Sequence, residues 1–193
     1  MDVEKARLGA VDWPGISVRQ ACGSDAASLI AIMDDATRYK VERGDLAWGP
    51  HGDSARRVAR AIERGEMHVV SHAGKDIGTA CIQWDDEPYW GTQPPVAGYL
   101  HGLAINNGFH GAGIGSWVMD WAQRHVSAQG RGWLRLDCSA GNPGLCRYYE
   151  RCGFVRVGEQ VFANGHVAAL YQRAADRAMY QQPLTPYLGR AST

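Results

Sequence analysis

The chain has 193 residues, of which 45% are hydrophobic and 21% charged, a balance typical of a globular protein long enough to bury a sizeable core. Its 20 basic and 20 acidic residues give a formal net charge of zero, which argues against nucleic acid as the main partner. No stretch approaches the roughly 18 apolar residues of a membrane span, and no signal peptide is expected at the start. The 5 cysteines show no metal-ligand spacing, so we expect reduced thiols, no metal and a cytoplasmic location.

The first half of the chain predicts a strand, two helices and a β-hairpin. Apolar residues alternate along the strands and recur at helical spacing along the helices. The turn residues Gly74-Lys75-Asp76 separate the two hairpin strands. The predicted elements are, in order, a lead-in over 1–15, a strand at 16–20, helices at 26–40 and from about 53 to 65, strands at 67–72 and 77–84, and a polar, aromatic loop over 85–95.

The second half alternates strands with helices and ends in another hairpin, whose turn is signalled by Asn164-Gly165. Its predicted elements are a strand at 96–105, a glycine-rich loop at 106–112, a helix at 114–128, a strand at 133–138, a helix at 142–152, strands at 154–162 and 167–172, and a tail over 174–193. The whole order, β-α-α-β-β-β-α-β-α-β-β, predicts an α/β (α+β) fold on one mixed central sheet. We expect a single domain over residues 1–193, with its core at about 16–173.

The segment from His110 to Ser116 carries three closely spaced glycines between a predicted strand and a predicted helix. Glycine lets the backbone adopt positive φ and approach a ligand closely. The first turn of the helix adds N–H groups without intrahelical partners and the positive end of the helix dipole. Such a turn favours a phosphate or pyrophosphate ligand. A P-loop would need a lysine before Ser116, and the spacing of Gly111, Gly113 and Gly115 departs from the dinucleotide fingerprint, so neither nucleotide motif fits well.

This segment resembles the central motif of the GNAT family of N-acetyltransferases, Gln/Arg-x-x-Gly-x-Gly/Ala, with His110 in place of the usual Gln or Arg. A second motif of that family, Asn followed by Tyr-Glu-x-x-Gly-Phe, is matched by Asn142 and by the run from Tyr149 to Phe154. The predicted order of elements from 16 to about 172 is also similar to that of the family. The resemblance covers nearly the whole chain, and it implies a GNAT-type fold that binds acetyl-CoA as cosubstrate.

The resemblance also implies which residues hold acetyl-CoA, in a cleft where the strand ending at Ile105 separates from the parallel strand at 133–138. Backbone groups of Leu103 and Ile105 would pair with the acetyl and pantetheine parts, and Asn142 would contact the pantetheine arm. The glycine segment would hold the pyrophosphate. The predicted cofactor-binding residues are Leu103, Ala104, Ile105, His110, Gly111, Ala112, Gly113, Ile114, Gly115, Ser116 and Asn142.

Two residues are candidates for proton transfer. The second motif places Tyr149 where the family commonly has its general acid, and a phenol with a pKa of about 10 is protonated at neutral pH. His101 is the candidate general base, because histidine titrates near neutral pH and because it lies two residues before Leu103, on the same predicted strand face. A packing role is the alternative for both, and many relatives deprotonate the amine through water. No cysteine is paired with a histidine, so direct transfer to the amine is expected.

The acceptor is expected near the loop that begins at Trp84, because in this family that edge faces the acceptor pocket. Carboxylates attract a cationic amine, and aromatic faces can take a cation or a sugar ring. The predicted substrate-binding residues are Trp84, Asp85, Asp86, Glu87 and Tyr99. A solvated charged turn anchored by its aromatic residues is the alternative interpretation of the same loop.

Three functions are therefore weighed. The first is acetylation of a small-molecule amine, with an aminoglycoside antibiotic of the kasugamycin type, and so a role in resistance, as the leading acceptor. The second is acetylation of a protein N-terminus or lysine. The third is a non-catalytic acetyl-CoA-binding module, which the intact Tyr149 and Asn142 argue against. A homodimer is an expectation of the family resemblance, and neither a membrane nor nucleic acid is expected as a partner.

Overall fold

The computed structural model describes residues 13–49 and 53–175. The strands are β1 (Ile16–Gln20), β2 (Met67–His72), β3 (Lys75–Gln83), β4 (Ala97–Ile105), β5 (Trp133–Ser139), β6 (Val155–Val161) and β7 (Val167–Ala174). The helices are α1 (Ala26–Val41), α2 (Ser54–Glu63), α3 (Glu87–Trp90), α4 (Ile114–Ala128) and α5 (Pro143–Arg151). This order confirms the predicted α/β fold, with α3 as an addition. The predicted tail from residue 176 on, and the lead-in up to residue 12, lie outside the described residues.

The seven strands form one mixed sheet in the order β1-β2-β3-β4-β5-β7-β6. Antiparallel pairs join β1 to β2, β2 to β3, β5 to β7 and β7 to β6. β4 and β5 are parallel neighbours, as predicted, and their pairing joins Ala97–Tyr99 to Trp133–Arg135. The parallel ladder therefore covers the beginning of each strand, while β4 continues to Ile105 and β5 to Ser139.

The described residues group into two compact units. One contains residues 84–99 and 122–175, and its buried cluster includes Trp90, Tyr99 and Leu170. The other contains the described residues between 13 and 83 together with 100–121, and there α1 and α2 pack through Leu29 and Val58 onto β2 and β3. The single domain over residues 1–193 stays a prediction. Within the part of the chain that the structure describes, no helix combines the length and apolar character needed to cross a membrane.

Two local predictions were wrong. The first hairpin turns at Ala73-Gly74, because His72 pairs directly with Lys75, whereas the prediction placed the turn at Gly74-Lys75-Asp76. Ala73 and Gly74 have φ of +49° and +77°, so both central residues are left-handed, as a two-residue turn between twisted strands requires. The predicted loop over 85–95 contains α3, whose first turn accommodates a proline because the first helical N–H groups have no intrahelical acceptor.

The strained alanine in this turn leads to a stability prediction. Replacing Ala73 with glycine should raise the free energy of unfolding by about 0.5 to 1 kcal/mol, because the left-handed conformation costs an L-residue more than glycine loses in entropy. Urea denaturation of the variant and the parent measures the difference. Gly74→Ala is the matched control, and it should lower stability by about 1 kcal/mol. An unchanged or lower stability of Ala73→Gly would contradict this account of the turn.

Candidate active site

Apart from Asn142, the residues expected to bind the cofactor lie at the end of β4, in the loop after it and in the first turn of α4. Leu103, Ala104 and Ile105 are the last residues of β4. Gly111 and Gly113 have φ of +79° and +84°, a region that other residues seldom adopt. These two glycines let the chain turn within a few residues from the strand end into the helix.

The start of α4 presents backbone N–H groups that the described chain does not use. The first helical bond runs from the N–H of Trp117 to the carbonyl of Gly113, at 3.1 Å. Among the described residues, none accepts a hydrogen bond from the amides of residues 113–116. Since these amides coincide with the positive end of the helix dipole, they fit a bound pyrophosphate.

His110 ties the glycine loop to the rest of its unit. Its Nε2 lies 2.8 Å from the carbonyl oxygen of Ile105 and donates to it, since a carbonyl can only accept. The imidazole also packs edge-on against Tyr39 of α1, with ring centroids 4.7 Å apart. The histidine in the first motif position therefore shapes the loop, a role that the motif did not predict.

Trp13 is a residue near this loop that sequence reasoning missed. Its indole Nε1 lies 3.9 Å from the position that a Cβ on Gly113 would take. The Nε1–H is buried and has no hydrogen-bond partner among the described residues. The sequence placed Trp13 at the end of a lead-in and gave no indication of this position.

His101 is half-buried on β4, but β4 is not regular between His101 and Leu103. The predicted shared face of these two side chains requires the two-residue alternation of a regular strand. Gly102, between the two, has φ of +54°, and its carbonyl accepts a 2.6 Å hydrogen bond from the Thr79 hydroxyl. Because the left-handed residue interrupts the extended backbone, a shared face no longer follows from the spacing.

Asn142 is the N-cap of α5. Its Oδ1 accepts a hydrogen bond from the N–H of Leu145 at 3.0 Å, and Pro143 occupies the first turn, where its missing N–H costs nothing. The motif asparagine therefore fixes the beginning of the helix that carries Tyr149.

Tyr149 is half-buried on α5, with its ring 6.0 Å from that of Phe154 and 6.1 Å from that of Tyr171. Its hydroxyl makes no hydrogen bond to the described residues. Removal from water raises the pKa of this hydroxyl well above its ordinary value of about 10, and Cys138 and Asp137 raise it further. The Tyr149 hydroxyl thus holds its proton throughout the neutral range.

All five residues predicted to bind the substrate line one open cavity of about 190 Å³. Asp85 and Glu87 are exposed, whereas Asp86 is buried, so the carboxylates differ in their access to solvent. The ring of Trp84 already stacks on His125 at 6.0 Å and lies 5.2 Å from the Arg131 guanidinium, so much of its surface contacts the protein. The remaining lining residues are Gly91, Thr92, Gln93 and Pro94.

Arg135 of β5 is the second residue that sequence reasoning missed. It is buried, and its Nη1 donates to two residues that line the cavity. The acceptors are Gln93 Oε1 at 3.0 Å and the Tyr99 hydroxyl oxygen at 3.1 Å. Alternation in a strand gives no reason to expect a buried arginine, and its partners are far away in sequence. Only the parallel pairing of β4 with β5 brings Arg135 beside Tyr99.

The chain belongs to the acetyltransferase (GNAT) family, whose family model matches residues 29–154. That match includes β4, the glycine loop, α4, β5 and α5, and hence both motifs. The protein is therefore an acyltransferase that uses acetyl-CoA, and the predictions of its family and enzyme class are confirmed.

Named relatives agree with this assignment. The chain is 28% identical over 145 residues to the uncharacterized N-acetyltransferase YesJ of Bacillus subtilis, covering 69% of this chain and 78% of that protein. It is 26% identical over 120 residues to S-(2-succino)cysteine N-acetyltransferase of the same organism, covering 60% and 70%. The solved structure of AAC(6')-Ib with paromomycin and acetyl-CoA has a TM-score of 0.69 at 18% identity, covering 89% and 98%, which shows a shared fold.

The capping role of Asn142 can be tested by stability. Asn142→Ala should lower the free energy of unfolding by about 1 kcal/mol, because the N–H of Leu145 loses its acceptor. Asn142→Asp is the matched variant, since a carboxylate also caps a helix, and it should retain the parental stability. Thermal and urea unfolding measure both. Equal losses in the two variants would show that the amide does more than cap α5.

Proposed function

We propose that the protein transfers the acetyl group of acetyl-CoA directly to a primary amine of a small molecule. The observation that carries the proposal is the turn from β4 into α4, where left-handed glycines and unused amides of residues 113–116 fit a pyrophosphate in a member of an acetyltransferase family. Acetyl-CoA supplies the activated acyl group. The remaining requirements are to place the amine, remove its proton and protonate the departing sulfur.

Tyr149 is the proposed general acid. Its hydroxyl is protonated at neutral pH, because the raised pKa keeps the proton bound well beyond that range. It has no hydrogen-bond acceptor among the described residues, so its proton is available to the departing sulfur. Burial raises the pKa of the Cys81 thiol to about 12, which disfavours this one cysteine as a nucleophile.

His101 is the proposed general base. Histidine gains and loses its proton near neutral pH, and this one lies half-buried on the same strand as Leu103 and Ile105. Water-mediated deprotonation is the alternative. A pH profile of kcat/KM distinguishes the two, because replacing His101 with glutamine removes the acidic limb of the profile only if the imidazole is the base.

The class of acceptor is inferred from the residues that line the cavity beside Trp84. The exposed carboxylates of Asp85 and Glu87 support an amine that carries positive charge, and an amino sugar such as kasugamycin is one candidate. AAC(6')-Ib, named with paromomycin, supports that class through its fold alone. The relative named for S-(2-succino)cysteine supports an amino acid as a second candidate. A protein N-terminus or lysine is the alternative acceptor, and a cytoplasmic location and a homodimer stay predictions.

A panel assay tests the proposed function. The purified protein is incubated with acetyl-CoA and an aminoglycoside series that includes kasugamycin, with S-(2-succino)cysteine, other amino acids, arylalkylamines, polyamines and short peptides, and free thiol release is followed. Acetylation of one of the small amines supports the proposal. Turnover on peptides alone would contradict the small-molecule acceptor and favour a protein N-terminus or lysine. Binding of acetyl-CoA without turnover on any amine would favour a non-catalytic module.

Tyr149→Phe tests the general acid. We expect kcat to fall roughly 100-fold or more, because general acid catalysis contributes about that much, while acetyl-CoA affinity by calorimetry stays at the parental level. Tyr148→Phe is the matched control on the same helix and should keep the parental kcat. Equal activities of the Tyr149 variant and the parent would show that this tyrosine is not the general acid.

A further inference from the structure

Arg135 is a buried cation without an ion-pair partner among the described residues. Arg135 is only 9% exposed. All its hydrogen-bond acceptors are neutral: Gln93 and Tyr99 accept from Nη1, and Gln172 accepts from Nε at 3.3 Å. The guanidinium also lies 4.6 Å from the Trp90 ring centroid. Burying a charge without an ion-pair partner is costly, so the presence of an arginine here needs an explanation.

The direction of these hydrogen bonds determines what the cavity offers to a ligand. A guanidinium can only donate, so the Gln93 amide oxygen and the Tyr99 hydroxyl oxygen must both accept from it. The amide nitrogen of Gln93 in turn donates to the carbonyl of Trp90 at 2.9 Å. The hydrogen of the Tyr99 hydroxyl then has no acceptor among the described residues, although Tyr99 is only 2% exposed.

The cavity therefore has two electrostatic characters. Tyr99 lines it, and the hydroxyl that accepts from the Arg135 guanidinium keeps a hydrogen to donate, polarised by that positive charge. The acidic part of the lining consists of the exposed carboxylates of Asp85 and Glu87 and the buried carboxylate of Asp86. A ligand with positive charge alone leaves the Tyr99 donor unsatisfied, and one with negative charge alone meets the carboxylates.

We propose that the acceptor is zwitterionic, carrying a carboxylate that accepts the hydrogen bond of Tyr99 as well as the amine that is acetylated. This inference rests on the proposed function and names its substrate class. Arg135 acts as a positioning residue, since it orients Gln93 and Tyr99 as donors and supplies the positive potential that a carboxylate needs. Amino acids and kasugamycin, whose amidine arm ends in a carboxylate, belong to this class. An aminoglycoside that carries amines alone does not.

The first test uses the parent protein and matched acceptors. L-Phenylalanine, S-(2-succino)cysteine and any carboxylated amine of the panel that is turned over are each compared with the analogue in which one carboxylate, the α-carboxylate in an amino acid, is replaced by carboxamide. Amidation should raise KM about 10-fold and leave kcat nearly unchanged, since the amide keeps a hydrogen-bond acceptor but loses the negative charge that strengthens the bond. Equal KM values for acid and amide, or turnover confined to amines without a carboxylate, would overturn the inference while leaving the proposed function standing.

The second test removes the hydrogen-bond donor of Tyr99. Tyr99→Phe keeps the ring against Trp90 and removes the hydroxyl, so the KM of the carboxylated acceptor should rise by a larger factor than that of its amide, whose carbonyl accepts a weaker hydrogen bond from the same hydroxyl. The KM of acetyl-CoA should not change. A merely structural role would raise the KM of acid and amide by the same factor, and that result would contradict the proposal.

The third test removes the positive charge of Arg135, which donates to Tyr99. Arg135→Gln should abolish the preference for acid over amide, and Arg135→Lys should restore part of it. Arg156→Gln, an exposed arginine on β6, is the control and should leave the preference unchanged. If Arg135→Gln fails to fold, the lysine and phenylalanine variants decide the question. Calorimetry of S-(2-succino)cysteine against parent and Tyr99→Phe provides a readout independent of turnover: binding weakened by the variant supports the carboxylate site even if the proposed function fails, and equal binding or none to the parent argues against it.

Discussion

The first and the later residues of strand β4 make different hydrogen bonds, and each stretch positions residues of the unit to which it belongs. Its first residues, Ala97–Tyr99, form the parallel ladder with β5 that brings Tyr99 against Arg135. Its later residues belong to the unit of β3, where Thr79 holds the carbonyl of Gly102. The same strand ends at Ile105, directly before the glycine loop. The first stretch therefore carries a side chain that lines the proposed acceptor cavity, and the second leads into the turn proposed to bind phosphate.

The glycine turn into α4 could be predicted from the sequence because everything it requires is local. Left-handed backbone at Gly111 and Gly113 depends on the absence of a Cβ, and the unused amides follow from the start of any helix. Motifs of this kind are visible because a few adjacent residues determine their geometry. Asn142 was found differently, from its place in the second family motif, and its role as the cap of α5 was not predicted.

The errors have equally physical origins. Alanine seldom adopts positive φ, so the sequence favoured a turn on glycine and the polar residues after it, whereas the pairing of His72 with Lys75 forces Ala73 into the left-handed region. Helix α3 spans only four residues, too few for a helical period to show in the sequence. Gly102 interrupts β4 without leaving a signal in the alternation of neighbouring residues. Arg135 could not be found because its partners Gln93 and Gln172 lie 42 and 37 positions away.

The buried arginine also bears on how the site is stabilised. Replacing a buried charge with an apolar residue of similar volume is often neutral or stabilising, so stability alone gives no reason for a guanidinium beside Tyr99. Its neutral partners accept from Nε and Nη1, and none of them brings an opposite charge. A carboxylate on the Tyr99 hydroxyl would bring that opposite charge whenever the acceptor is bound, so part of the cost of burial would be recovered as affinity. The exposed carboxylates of the lining would then favour the amine end of the same molecule, and orientation in the cavity would follow from charge before any contact with the acetyl donor is made.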